Sequence, residues 1–262
     1  MSDVVLTQRN EKTLRLIINR PERRNALNED VCRLLAAGID AAESDPAIRA
    51  IVITGAGDKA FCAGGDMKPG ADGAPFVADP ADPRHYVIAL FRRMEAAGIP
   101  IIARVNGHAL AGGLGLVCAC DMAIAAEHAT LGVPETRVGL FPMMILSYMM
   151  RIVPRRKLFE MTITGEPFTA EEALLLGLVN YVEPAATLDE RLDWLIGRIT
   201  DKSPTGIRLG KQAFRAIEDM PLDKAFEYTQ LMLPLMAMTG DAREGFAAFN
   251  EKRRPDWTGR WT

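Results

Sequence analysis

Through the first half of the chain, short apolar runs alternate with segments whose apolar residues recur every three or four positions. Thr13–Ile18 reads as a strand that ends in a turn at Arg20-Pro21-Glu22-Arg23-Arg24. Asn28 then fits an N-cap, ahead of a helix with Val31, Leu34, Leu35, Ile39 and Ala42 on one face. Residues 50–53 are continuously apolar, as expected of a strand buried on both sides. Residues 64–81 are rich in Gly, Pro and Asp and aperiodic, which predicts a mobile loop. Val87, Leu90, Phe91 and Met94 mark the next helix, and Ile101–Val105 the next strand. Such β-then-α units call for a mostly parallel α/β core.

From about residue 185 the strand signals vanish, and residues 187–200, 204–218, 222–238 and 241–252 read as helices. Ser203 ahead of Pro204 is a start signal, since proline suits the first helical position. Pro234 should kink or interrupt the third of these helices. The expected division is a core domain, 1–200, and a helical C-terminal region, 201–262. Roughly sixty helical residues are too few for an independent core. They should pack on the first domain or on another subunit.

Composition narrows the class. The 262 residues are 48% hydrophobic and 25% charged, with a net charge of -3, as in a globular protein. The absence of a basic run argues against a nucleic-acid partner. The N-terminal residues lack an apolar signal-peptide core and no stretch is long enough to span a membrane, so the expectation is a cytoplasmic protein without a membrane partner. Cys32, Cys62, Cys118 and Cys120 are too few and irregular for a disulfide framework, and His85, His108 and His128 make no metal-ligand spacing with them. Buried, reduced thiols and no metal are expected.

Two patterns are decoys. Gly55-Ala56-Gly57-Asp58-Lys59-Ala60 imitates a dinucleotide fingerprint, but that motif requires a helix to begin at once, and Gly64-Gly65 and Pro69 work against one. None of Ser2, Ser44, Ser147 and Ser203 lies in a nucleophile elbow. The informative feature is a pair of glycine-rich segments, Ala60-Phe61-Cys62-Ala63-Gly64-Gly65-Asp66-Met67 and Val105-Asn106-Gly107-His108-Ala109-Leu110-Ala111-Gly112-Gly113-Leu114-Gly115-Leu116. Small residues let backbone N–H groups approach a ligand. In the second segment the glycines open a short buried helix whose free N–H groups face the preceding loop. Together the segments could form an oxyanion hole, although glycines also serve simply to let turns pack closely.

With their flanks, the two segments resemble the enoyl-CoA hydratase/isomerase (crotonase) family. The match includes Asn19-Arg20-Pro21, Asn25-Ala26-Leu27-Asn28, Gly132-Val133-Pro134-Glu135, Gly139-Leu140-Phe141-Pro142, Leu158-Phe159-Glu160-Met161 and Thr164-Gly165. Ala170-Glu171-Glu172-Ala173, Gly177-Leu178-Val179 and the basic end Phe249-Asn250-Glu251-Lys252-Arg253 complete it. The resemblance implies a spiral of ββα units with a helical C-terminal region that builds trimers, often paired into hexamers. It implies an acyl-CoA thioester substrate, with coenzyme A as part of the substrate and no separate cofactor. By motif position, the backbone N–H groups of Gly65 and Gly112 would polarise the thioester carbonyl and Glu135 would be the acid/base. The CoA end falls to Arg24 near the pantetheine and phosphates, Ala63 and Met67 near the adenine, Ala26 and Asp66 beside them, and Lys252 reaching a phosphate.

The departures from the family pattern matter equally. Gly115 stands where hydratases carry a second glutamate. Met143-Met144 replaces small residues, and Met149, Met150, Met232, Met236 and Met238 could add flexible apolar volume to an acyl pocket or simply fill the core. A single carboxylate favours shifting a double bond from the 3 to the 2 position. Hydration of a 2-enoyl-CoA is the alternative, and a catalytically weak acyl-CoA- or nucleic-acid-binding homologue is the rival from another class. Gly115→Glu is expected to raise hydration if the pocket has room.

Overall fold

A computed structural model describes residues 3–67 and 84–259. The chain enters through an antiparallel hairpin, β1 (Val5–Asn10) and β2 (Thr13–Ile18), followed by α1 (Glu29–Ser44). Asn28 caps α1, its side-chain oxygen accepting from the Val31 N–H at 2.9 Å. Three ββα units follow. They are β3 (Ala50–Gly55), β4 (Ala60–Cys62) and α2 (Tyr86–Ala96); then β5 (Ile101–Val105), β6 (His108–Leu110) and α3 (Gly112–Cys118); then β7 (Met122–Ala126), β8 (Thr130–Gly132) and α4 (Met143–Ile152). After them come α5 (Arg155–Thr164), β9 (Phe168–Thr169), α6 (Ala170–Leu175), β10 (Tyr181–Glu183) and α7 (Leu188–Thr200).

Each unit gives its first strand to one sheet and its second to another. The larger sheet runs β1-β2-β3-β5-β7-β10, parallel from β2 onward, and the smaller runs β4-β6-β8-β9. Repeating that step three times winds the chain into the expected spiral. The strand period sorts side chains between the sheet's faces. Ile51, Ile53, Ala103 and Val105 join the main core beneath α1, α2 and α3, whereas Ala50, Val52, Ile102 and Ile124 meet Leu188, Leu192 and Leu195 of α7. All six residues of β3 are buried, so its unbroken apolar run follows from being covered on both faces. No helix follows Gly55, which leads through a bend into β4, so the dinucleotide-like letters carry no such fold.

The last three helices are α8 (Pro204–Ile217), α9 (Leu222–Ala237) and α10 (Gly240–Asn250). Ser203 caps α8, accepting from the Gly206 N–H at 2.9 Å. Lys211 ties α8 to the core by pairing with Asp121 and donating to the Ile99 carbonyl, and Arg215 donates to the Ala97 carbonyl. Asp241 anchors α10, accepting from Ser203 Oγ at 2.8 Å and from the Gly259 N–H at 3.0 Å, whereas α9 is held more loosely and buries only Ala225. Pro234 does not interrupt α9, which continues through it to Ala237. A proline this close to a helix end removes one backbone bond and leaves little helix beyond it to distort. The predicted loop over 64–81 is described only through Met67, and its residues 68–81 lie outside the described residues.

Cys32, Cys62, Cys118 and Cys120 are free thiols. Burial pushes Cys32, Cys62 and Cys118 up to about 12, so none of the three is a thiolate at neutral pH. Among the described residues no group of His, Cys, Asp and Glu is placed to hold a metal ion, and no helix is long and apolar enough to cross a membrane.

Candidate active site

The two glycine segments meet. β4 delivers the chain to Gly64, whose φ of +98° is a left-handed conformation suited to glycine, and where a Cβ would lie 2.7 Å from that of Ala111. Gly65 then makes a single parallel bridge to Leu27. The Leu27 N–H donates to the Gly64 carbonyl at 2.7 Å, and the Asp66 N–H donates to the Leu27 carbonyl at 2.8 Å. Both bonds point toward Leu27, so the intervening Gly65 N–H points the other way, and no backbone carbonyl among the described residues accepts it. Arg20 braces this loop, with Nη2 2.7 Å from Asp66 Oδ2 and Nη1 2.7 Å from the Ala26 carbonyl.

The second donor comes from α3. Gly112 is its first residue, and the first helical bond runs from the Gly115 N–H to the Ala111 carbonyl, so the Gly112 N–H has no partner within the helix. A Cβ on Gly112 would sit 3.7 Å from the Gly65 nitrogen. The two N–H groups therefore flank one small space, which any side chain at 112 would enter. Ala111, just before them, holds φ 51° and ψ -127°, a strained region for a residue with a side chain.

Glu135 faces the same space from the 3-10 turn Pro134–Val138. A cavity of about 520 Å³ is lined by Gly65, Gly112, Glu135, Leu27, Val87 and the start of α4. Glu135 Oε2 is shut off from solvent with no hydrogen-bond partner among the described residues. Burial raises its carboxyl above the usual glutamate range, partly opposed by a hydrogen bond from its own backbone. A carboxylate so placed is a stronger base than an exposed one. Among the described residues that line the cavity it is the one acidic side chain.

Gly115 does not open onto this cavity. A Cβ there would collide with Ile145 Cγ2 and lie 3.1 Å from Phe91 Cζ. Ile145, 2% exposed, fills the volume a second carboxylate would need, so the room on which the Gly115→Glu expectation depended is absent. Met143 and Met144 line the cavity as expected. Met149 belongs to the core instead, while Met150, Met232, Met236 and Met238 do not line the cavity.

Arg24, Ala26, Ala63, Asp66 and Met67 line a second, more open recess of about 500 Å³, which shares Ala63, Gly65 and Met67 with the first. A thioester in the cavity could thus carry a long polar tail outward past Arg24. Asp66 is already paired with Arg20, which suits it to positioning Gly65 better than to meeting an anionic ligand. Lys252, beyond α10 and exposed, lines neither recess in a single chain. Three residues escaped the sequence reading: Ile145, Arg20 as a brace, and Lys59, which with Arg24, His108 and His128 lines a further recess of about 520 Å³. The first two act through packing and pairing across 30 and 46 positions, which no local pattern records. The third carries a charge signal that Arg24 and Lys252 had received instead.

Comparison with known proteins places this geometry. The enoyl-CoA hydratase/isomerase family profile matches residues 8–260. The chain is 34% identical over 261 residues to the 2,3-dehydroadipyl-CoA hydratase of Escherichia coli, covering 99% of this chain and 100% of that one. It is 36% identical over 244 residues to the (E)-benzylidenesuccinyl-CoA hydratase of Thauera aromatica, covering 92% and 94%. An enoyl-CoA hydratase structure from Mycobacterium smegmatis superposes with a TM-score of 0.87 at 32% identity, covering 97% of this chain and 98% of that one. From its motifs through its ββα spiral to these relatives, the chain belongs to the enoyl-CoA hydratase/isomerase family.

Proposed function

We propose that the protein moves protons on an enoyl-CoA thioester with Glu135 as its sole side-chain base, and that double-bond isomerisation is its preferred reaction. The supporting observation is the cavity's lining: the single carboxyl of Glu135 shares it with two backbone N–H groups that have no backbone partner among the described residues, with Ile145 where a second acid would stand. Glu135 takes a proton from C2 of a 3-enoyl thioester, and the electron pair moves onto the thioester oxygen. The Gly65 and Gly112 N–H groups hold that charge, and the same carboxyl returns the proton at C4. Hydrogen bonds to the oxyanion strengthen as charge develops, which lowers the barrier, and one such donor contributes about 10²–10³ in rate. The CoA portion lies along the recess of Arg24, with Lys59 and the two histidines offering further anion contacts.

Hydration of a 2-enoyl-CoA is the second reading, favoured by the hydratase names of relatives that cover nearly the whole chain. Incubating the protein with matched 2-enoyl- and 3-enoyl-CoA substrates and identifying the products separates the two. Isomerisation should be the faster. Efficient hydration of crotonyl-CoA with no action on 3-enoyl substrates would overturn the one-carboxylate mechanism.

A further inference from the structure

Beyond Ile145 lies a second and larger space. A crevice of about 820 Å³ between α4 and α8 is lined by Met94, Cys118, Tyr148 and Ile152 on its core side, with paired charges of α8 opposite. Three helices run from the catalytic cavity to this crevice along a common face. On α2, Val87 lines the cavity and Met94 the crevice, with Phe91 between them. On α3, Gly112 lines the cavity and Cys118 the crevice, with Gly115 between. On α4, Ile145 lines the cavity, and Tyr148 and Ile152 the crevice. Positions six or seven apart on a helix are separated by about 10 Å. Within that length stand Ile145 against Gly115, Phe91 at its side, and Phe91 edge-on to Tyr148 at 5.5 Å between ring centroids.

We propose that Ile145, backed by Phe91, is the stop that fixes how far an acyl chain enters, and that a longer chain would continue toward the crevice if the stop were shortened. This rests on the acyl-CoA reading above. Ile145 fits the role because it is β-branched and stiff, packs on a glycine that offers no side chain to yield, and borders the cavity directly.

The test is the affinity of saturated acyl-CoA thioesters from four to twelve carbons for native protein, Ile145→Val and Ile145→Ala. Each methylene that enters the cavity tightens binding about fourfold, from about 0.8 kcal/mol per buried CH₂, until the chain meets the stop and the gain ends. Ile145→Val removes one carbon and should move that break by about one carbon; Ile145→Ala removes three and should move it by about three. If Ile145→Ala fails to fold, the milder Ile145→Val decides the matter. An unmoved break, or equal weakening at every length, would overturn the stop and leave Ile145 as core packing only. Turnover of 3-enoyl thioesters measured in parallel keeps the two proposals apart. A moved break without turnover upholds the stop and sinks the isomerase chemistry, turnover with an unmoved break does the reverse, and no acyl-CoA binding at all overturns both.

Discussion

Glu135 carries its charge in a cavity whose described walls offer Oε2 no hydrogen bond, and that has a consequence for stability as well as for rate. Its folded pKa lies above that of an unfolded glutamate, near 4.3, so the native state binds more protons than the unfolded one between the two values. Stability is therefore complete below the unfolded pKa and is lost as pH rises through the folded one. Glu135→Gln should melt higher than native protein at pH 7–8, with the advantage gone below about pH 4. The same variant should lose about 10²–10⁴ in turnover while still binding acyl-CoA, and native turnover should fall on the acid side at a pH above the ordinary glutamate range. Near-native turnover would show that another group is the base. A melt lower at neutral pH would show that the ionised carboxylate is not disfavoured. At Gly115 the contact with Ile145 sets the outcome. Gly115→Ala should cost about 1–3 kcal/mol by overpacking. Pairing it with Ile145→Ala should recover most of that, whereas Ile145→Val, which keeps the colliding γ-carbon, should not. Denaturant midpoints of the native protein, the three single variants and the two double variants check the pattern, each double judged against its own Ile145 single, and an equal Gly115→Ala cost on both Ile145 backgrounds would refute the contact. Gly115→Glu, larger still, is expected to unfold the site before it can add a carboxylate.

At the scale of elements, the N–H groups of Gly65 and Gly112 are only as well placed as the turns that carry them. Ala111 enters α3 with φ 51° and ψ -127°, conformations a side chain resists at about 1–3 kcal/mol, while glycine would give back about 0.5–1 kcal/mol in chain entropy. Ala111→Gly should thus be neutral to stabilising in urea, and its turnover should fall if the strained turn holds the Gly112 N–H in place. A loss of more than about 1 kcal/mol would show that the turn is unstrained. How much of this could be read in the chain depended on length. β2 and β5 match their predicted residues, and Asn28 caps as expected, because five or six residues carry a period and a cap is local. The strands of the smaller sheet have two or three residues each, too few for any period, and their partners lie tens of positions away. The convergence of Gly65, Gly112 and Glu135 was legible through family motifs, since no spacing brings a turn at 134–138 opposite a loop at 64–66. The filling of the Gly115 volume by Ile145 is a packing fact thirty residues removed, visible only once α3 and α4 lie together.

At the scale of the whole molecule, α9 leaves large apolar side chains exposed on the surface of the single chain. Leu222, Phe226, Leu231 and Leu233 are each more than 60% exposed, although α9 is a sixteen-residue helix with a fold to pack against. Leu222, Phe226 and Leu233 share one face of the helix and Leu231 stands on the opposite face, and apolar faces this exposed are rarely left to water. The charged faces of α7 and α8 pair within the chain, through Arg104 and Arg15 on Asp189 and through Lys211 on Asp121. We propose that α9 packs on further copies of this chain in the trimer or hexamer implied by the family resemblance. Lys252, which lines none of the three recesses around the site, would then lie where a neighbour's CoA phosphate could meet it. Light scattering on the native protein should give three or six times the 28.7 kDa chain mass. Phe226→Glu with Leu233→Glu changes two exposed positions, so it should leave the fold intact by circular dichroism while reducing the assembly to smaller species. Lys252→Glu should weaken CoA binding several-fold without dispersing the assembly, and the double glutamate variant should weaken it to a similar degree, because dispersal removes the same lysine. A native monomer would end the proposal for α9. An assembly that disperses with CoA affinity unchanged would keep α9 as the interface and remove Lys252 from the binding site.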